Sequence, residues 1–153
     1  MTRGLSPVVG TVLLVAITVA LAGLAGAVVI DSTSGELTPH VRLSVDADAG
    51  ADRIALTHES GDTLSTEEVS VQVSVDGQPL TYQPPVPFFA ARGFRGGPTG
   101  PFNPSADPDW SAGETAELRL ASTNAPLLDP ASTVTVTVAT DRGVIAELET
   151  EVN

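Results

Sequence analysis

Two histidines, His40 and His58, and no cysteine are what this chain offers for activating a nucleophile or binding a soft metal. Cysteine catalysis and cysteine metal sites are excluded outright. The run His58-Glu59-Ser60-Gly61-Asp62-Thr63-Leu64 gathers the residue types of a hydrolytic triad. Successive side chains at a strand end point to opposite faces, however, so the run reads as a strand entering a turn. Asp46, Asp48 and Asp52 are spaced like the carboxylates of a calcium loop, but the twelfth position, where an EF-hand needs Glu, is Thr57. A solvated acidic turn is expected there. Asn103-Pro104-Ser105 is disqualified as a glycosylation sequon by its proline, and no other Asn fits. No Gly-x-Ser-x-Gly, His-Glu-x-x-His, P-loop or dinucleotide fingerprint occurs. The expectation is therefore a protein that is not an enzyme, with no cofactor and no metal.

The elements that would carry such residues have a period of two from Val41 onward. Val41, Leu43 and Val45 fall on one face, as do Ile54 and Leu56, and Val69, Val71, Val73 and Val75. Asp76-Gly77 is a two-residue hairpin signal returning the chain through Pro79 to Gln83. Thr115 to Ala121 and Thr133 to Thr140 alternate likewise, and Asp141-Arg142-Gly143 turns the chain into Val144 to Glu151. Seven short alternating strands separated by turns predict an all-β antiparallel sandwich of immunoglobulin-like type over residues 40–153.

One segment lacks that rhythm. Residues 84–113 hold seven Pro, five Gly and five of the six aromatics of the chain: Phe88, Phe89, Phe94, Phe102 and Trp110. Disordered segments are poor in aromatics, so partial packing is expected. Arg92 and Arg95 offset Asp107 and Asp109 there. Aromatics and Arg anchor interfaces, which makes Phe88, Phe89, Arg92, Phe94, Arg95, Phe102 and Trp110 a candidate contact loop. The equal alternative is that the rings fold back over an open edge of the sandwich.

The chain carries 19 acidic residues against seven Arg and no Lys, a net charge of −12. Such a surface repels nucleic acid and anionic headgroups. At about 1 M salt the screening length falls to about 3 Å and self-repulsion fades, so the bias suits a halophile.

The N-terminal third differs again. Between Arg3 and Asp31 there is no charge, and Val8 to Ile30 would make a helical rod of roughly 35 Å, enough to cross a membrane. Ser6 can cap the first amides and Pro7 suits the first helical position. Arg3 before the helix, with Asp31 and Glu36 after it, places the N-terminus on the cytoplasmic side. Three fates are open: a permanent anchor, a secretory signal cut near Ala25-Gly26-Ala27, or a leader cut ahead of the helix.

Arg3-Gly4-Leu5-Ser6-Pro7-Val8-Val9-Gly10 resembles the start of archaeal type IV pilins, particularly those of halophilic archaea. The resemblance covers roughly the first 30 residues. It implies a leader (residues 1–4) cut between Gly4 and Leu5 by a prepilin peptidase, with Arg3 in the leader and Ser6 and Pro7 opening the retained helix. Bacterial type IV pilins carry a Glu five residues into the mature chain, where this sequence has Val9. The His-x-x-Gly-Asp-x-Leu spacing from His58 to Leu64 also resembles that of halophilic pilin domains, as a structural turn. The expected organisation is leader 1–4, helix 5–30, linker 31–39 and an extracellular domain over 40–153. Small residues four apart, Ala16/Ala20, Ala22/Gly26 and Gly23/Ala27, would let helices pack closely once withdrawn from lipid. The resemblance implies a structural subunit of an adhesive surface filament, self-associating, with an assembly ATPase and a platform membrane protein as partners. The alternatives are an anchored sandwich or minor pilin that binds a ligand without polymerising, and relatives that build the archaeal swimming filament.

Overall fold

An uncharged apolar run with no proline between Pro7 and Pro39 favours the helical state in spite of its glycines. The computed structural model describes residues 5–33 and 37–153, with side chains for 7–23 and 37–153, and it places helix α1 at Leu5–Thr33, 29 residues long. The helix thus runs past Ile30, where the apolar stretch stops. Every described side chain of α1 is exposed, Val8, Val12, Leu14 and Leu21 each by more than half. Among the described residues no helix is long and apolar enough to cross a membrane, the side chains beyond Gly23 lying outside them. The chain divides into two units, Met1–Leu37 and Thr38–Asn153.

The second unit, the head, is built from β1 (Val41–Asp48), β2 (Arg53–Gly61), β3 (Leu64–Ser65), β4 (Ser70–Val75), β5 (Gln78–Pro79), β6 (Asp109–Trp110), β7 (Thr115–Arg119), β8 (Thr133–Thr140) and β9 (Gly143–Glu151). One sheet has the order β1-β2-β7 and the other β5-β4-β8-β9, all pairs antiparallel. The two-residue strands β3 and β6 form a separate ladder. The chain crosses between sheets after β2, β5 and β7, which is the connectivity of an immunoglobulin-like sandwich. Beyond β9, Asn153 donates to the Ala47 carbonyl and accepts from the Ala49 amide, both at 3.0 Å, a short parallel pairing that joins the sheets along one side.

The alternation seen in the sequence is the burial pattern. Leu43, Ile54, Leu56 and Leu118 from one sheet meet Val71, Val73, Val75, Val134, Val136 and Val138 from the other in a single core. In β1 the face expected to be inward is buried at Leu43 and Ala47 and only half-buried at Val41 and Val45, and β2 bulges at Glu59, which has no cross-strand partner between Ser60↔Arg42 and His58↔Leu43. Asp76 and Gly77 both take positive φ, 50° and 76°, as a tight hairpin requires. The expected return strand over 79–83 is cut to two residues. Gln83 is the reason: its side-chain amide donates to the Val73 carbonyl at 2.9 Å and accepts from the Val73 amide at 2.7 Å, standing in for a strand on the β4 edge.

Candidate functional site

No reactive constellation forms where the sequence offers its histidines and carboxylates. His58 is fully buried, and its Nε2–H donates to the Asp62 carbonyl at 2.8 Å, while Ser60 and the side chain of Asp62 face outward. The motif's spacing instead fastens the place where the chain enters the head. Asp62 accepts from the His40 amide through Oδ2 at 2.9 Å and returns its own amide to the His40 carbonyl at 3.0 Å. Gly61, at φ +111°, sits so close to the His40 carbonyl that a Cβ would collide with it. Leu64 then drops into the core. His58, Gly61, Asp62 and Leu64 are thus four parts of one clamp on residue 40, which explains their spacing.

The acidic turn is ion-paired, in contrast to the solvated turn expected. Arg53 reaches Asp46 at 3.3 Å, Asp48 at 4.0 Å and Glu117 at 3.1 Å, and Arg95 reaches Asp52 at 3.0 Å. The Asp48 carboxylate also accepts from the Ala51 amide at 3.1 Å, closing the turn.

The 84–113 segment packs, and its backbone covers the outer edge of β7. Thr99 and Glu117 exchange amide-to-carbonyl bonds of 3.0 and 3.2 Å, and the Arg95 amide donates to the Arg119 carbonyl at 2.9 Å. Four of the five rings proposed for contact are buried: Phe88, Phe94, Phe102 and Trp110. For these the contact reading is corrected, because a ring inside the core cannot anchor a partner. Trp110 stacks edge-on against Phe102 at 5.2 Å and His58 at 5.9 Å and donates Nε1–H to the Glu114 carbonyl at 3.1 Å. Phe89 alone remains outside, 62% exposed. Arg92 lies over the Tyr82 ring at 4.7 Å and stays exposed, as does Arg95.

Asn124, a residue the sequence did not single out, holds this segment to the sandwich. Buried, it accepts from the Tyr82 amide at 3.1 Å and donates to the Tyr82 and Gly93 carbonyls at 3.0 and 3.1 Å. Gly93, at φ +87°, leaves it room, since a Cβ there would come within 2.8 Å of the amide nitrogen. An Asn in a Ser/Thr/Pro stretch carries no periodic signal, so only the fold reveals it.

On α1, the Thr11 hydroxyl donates to the Val8 carbonyl at 2.9 Å and that of Thr18 to the Leu14 carbonyl at 2.8 Å, so these two hydroxyls are satisfied within the helix. Ala16, Ala20, Ala22 and Gly23 are exposed, and a Cβ on Gly23 would meet nothing within 4 Å. Pro7 is exposed in the first turn. Arg3 and Gly4, and the side chains of Leu5, Ser6, Gly26 and Ala27, lie outside the described residues.

The described side chains of α1 are thus exposed, and of the two histidines His58 is buried in the head while His40 enters the clamp through its backbone. Residues 3–43 match the sequence family described as archaeal type IV pilin, N-terminal, so the N-terminal part of the chain is archaeal type IV pilin-like. An uncharacterized protein of Archaeoglobus fulgidus is 34% identical over 74 residues, covering 47% of this chain and 52% of that protein. The chain spans about half the length of that relative. Among solved structures, the archaellum periplasmic stator protein FlaG from Sulfolobus acidocaldarius aligns with a TM-score of 0.41 at 13% identity, over 72% of this chain and 97% of that one.

Proposed function

We infer that this protein is a structural subunit of a type IV pilus-like surface filament. One observation carries the reading: the pilin N-terminal match at residues 3–43 falls on a helix whose described side chains are uncharged, mostly apolar and uncovered. The pathway follows from that coincidence. The precursor sits in the membrane through its apolar rod, with the hydroxyls of Thr11 and Thr18 satisfied internally so that hydrocarbon is tolerated. A prepilin-type peptidase cuts between Gly4 and Leu5 on the cytoplasmic side. An assembly ATPase and a platform membrane protein then draw the subunit out of lipid, and helices pack through Ala16, Ala20, Ala22, Gly23, Gly26 and Ala27 into a filament core. The acidic head faces an external medium in which salt screens its charge, and the filament serves adhesion and biofilm formation.

Gly23→Leu tests the packing step. Because nothing among the described residues lies within 4 Å of a Cβ at that position, the substitution is expected to leave membrane insertion and head stability unchanged while lowering fibre yield by tenfold or more. Undiminished yield of fibres containing the variant would contradict helix packing as the basis of assembly.

A further inference from the structure

The head carries two clefts of similar size and opposite charge at opposite ends. β2 fixes the ends: Gly61 pairs with Val41, where the chain enters, and Arg53 pairs with Asp48 and with Arg119, roughly 26 Å away at about 3.3 Å per residue. At the far end a cleft of about 380 Å³ is bordered by Arg95, Thr99, Arg119 and the Gly-Gly-Pro run 96–98, together with Glu117, whose carboxylate is engaged by Arg53 at 3.1 Å. Arg119 is exposed and makes no ion pair among the described residues, whereas its cross-strand neighbour Arg53 is neutralised by three carboxylates. Arg95 keeps its side chain 58% exposed while touching Asp52. Phe89, the one outward ring of the segment, abuts this cleft through its backbone, its carbonyl oxygen lying 3.1 Å from where a Cβ on Gly97 would stand. At the entry end a cleft of about 370 Å³ is bordered by Pro39, Glu68, Asp109, Asp141 and Arg142. No ion pair is recorded for Glu68, Asp109 or Asp141 among the described residues.

We propose that these clefts mark the two sides of a contact between the head domains of successive copies of this chain: Arg119 and Arg95 of one copy face Glu68, Asp109 and Asp141 of the next. The proposal rests on the filament reading. Arg119, unpaired among the described residues of a chain of net charge −12, would meet a carboxylate-rich surface on any second copy, and the entry-end cleft gathers three carboxylates that make no ion pair among the described residues. Arg is suited to the role because its planar fork binds carboxylates two-fold, and its weakly hydrated cation pairs at short range even where salt screens longer interactions. The contact joins two different patches at opposite ends, so it is heterologous, and repeating it extends a string of heads instead of closing a dimer. That is the symmetry a filament needs.

The absence of native cysteine makes the test direct. Full-length chain carrying Arg119→Cys together with Asp141→Cys is expressed in cells, and sheared surface fibres are oxidised. The expected result is a ladder of disulfide-linked multiples that collapses on reduction, absent from either single variant. The pair Arg95→Cys with Asp109→Cys repeats the test should the first variant fail to fold. Cross-linking by Arg119→Cys alone would mean a symmetric contact and overturn the proposal. So would fibres that contain the chain but yield no ladder from either pair. Absence of the wild-type chain from fibres would instead overturn the filament reading beneath it.

Discussion

Replacing Trp110 by Ala removes the centre of the packed segment, and the structure sets the size of the loss. The ring is fully buried between Phe102 and His58, and Trp→Ala at such sites costs about 3–5 kcal/mol. The lost Nε1–H bond adds little, because the Glu114 carbonyl it leaves still accepts from the His58 amide at 2.9 Å. Against a domain stability of about 5–15 kcal/mol the loss is large, and it corresponds to a fall in melting midpoint of roughly 12–20 °C. Phe89→Ala, in the same segment but exposed, changes stability by less than about 0.5 kcal/mol. Thermal unfolding of both variants, followed by circular dichroism at a fixed high salt concentration, compares them directly. A loss under about 1 kcal/mol for Trp110→Ala, or equal losses for both, would refute the assignment of residues 84–113 to the core of the head.

Asn124→Ala removes the side-chain partner of the Tyr82 amide and carbonyl and of the Ala125 amide, the Gly93 carbonyl keeping the Ala121 amide, and is expected to cost about 3 kcal/mol in denaturant unfolding, with the Tyr82 and Ala125 amides losing exchange protection first. Gly61→Ala forces a Cβ into the His40 carbonyl at a positive φ and is expected to cost at least about 2 kcal/mol, measured as a lowered unfolding midpoint; a neutral result would remove the clamp. Raising salt from about 0.1 to about 1 M should raise the melting midpoint of the head steadily, as screening relieves the acidic excess that gives the full chain its net charge of −12; a flat profile would separate the charge from stability.

What could be read from residue order was whatever repeats locally. The period of two along Val69 to Val75 and Thr133 to Thr140, the Asp76-Gly77 turn and the uncharged N-terminal run each state their structure within a few residues. The rest depends on partners distant in sequence. β3 and β6 are two residues each, too short for periodicity, and exist because Leu64 pairs with Trp110. β5 ends early because one side chain, Gln83, satisfies the edge that a longer strand would have taken. In the 84–113 segment, composition marked out the aromatics without separating rings that pack from rings that protrude. That separation comes from the pairing of residues 94–99 with the edge of β7, a backbone match with no residue signature. The clamp on His40 lies between these cases: its spacing was visible, while its purpose required knowing that residue 40 lies beside residue 61.

The mass of the chain's own N-terminal peptide tests the central claim most directly. Recovered from cells and from sheared fibres, the processed protein is predicted to begin at Leu5, with residues 1–4 removed and the helix retained. A chain that keeps Met1-Thr2-Arg3-Gly4, or one that begins near Val28 with the helix lost, would contradict the account.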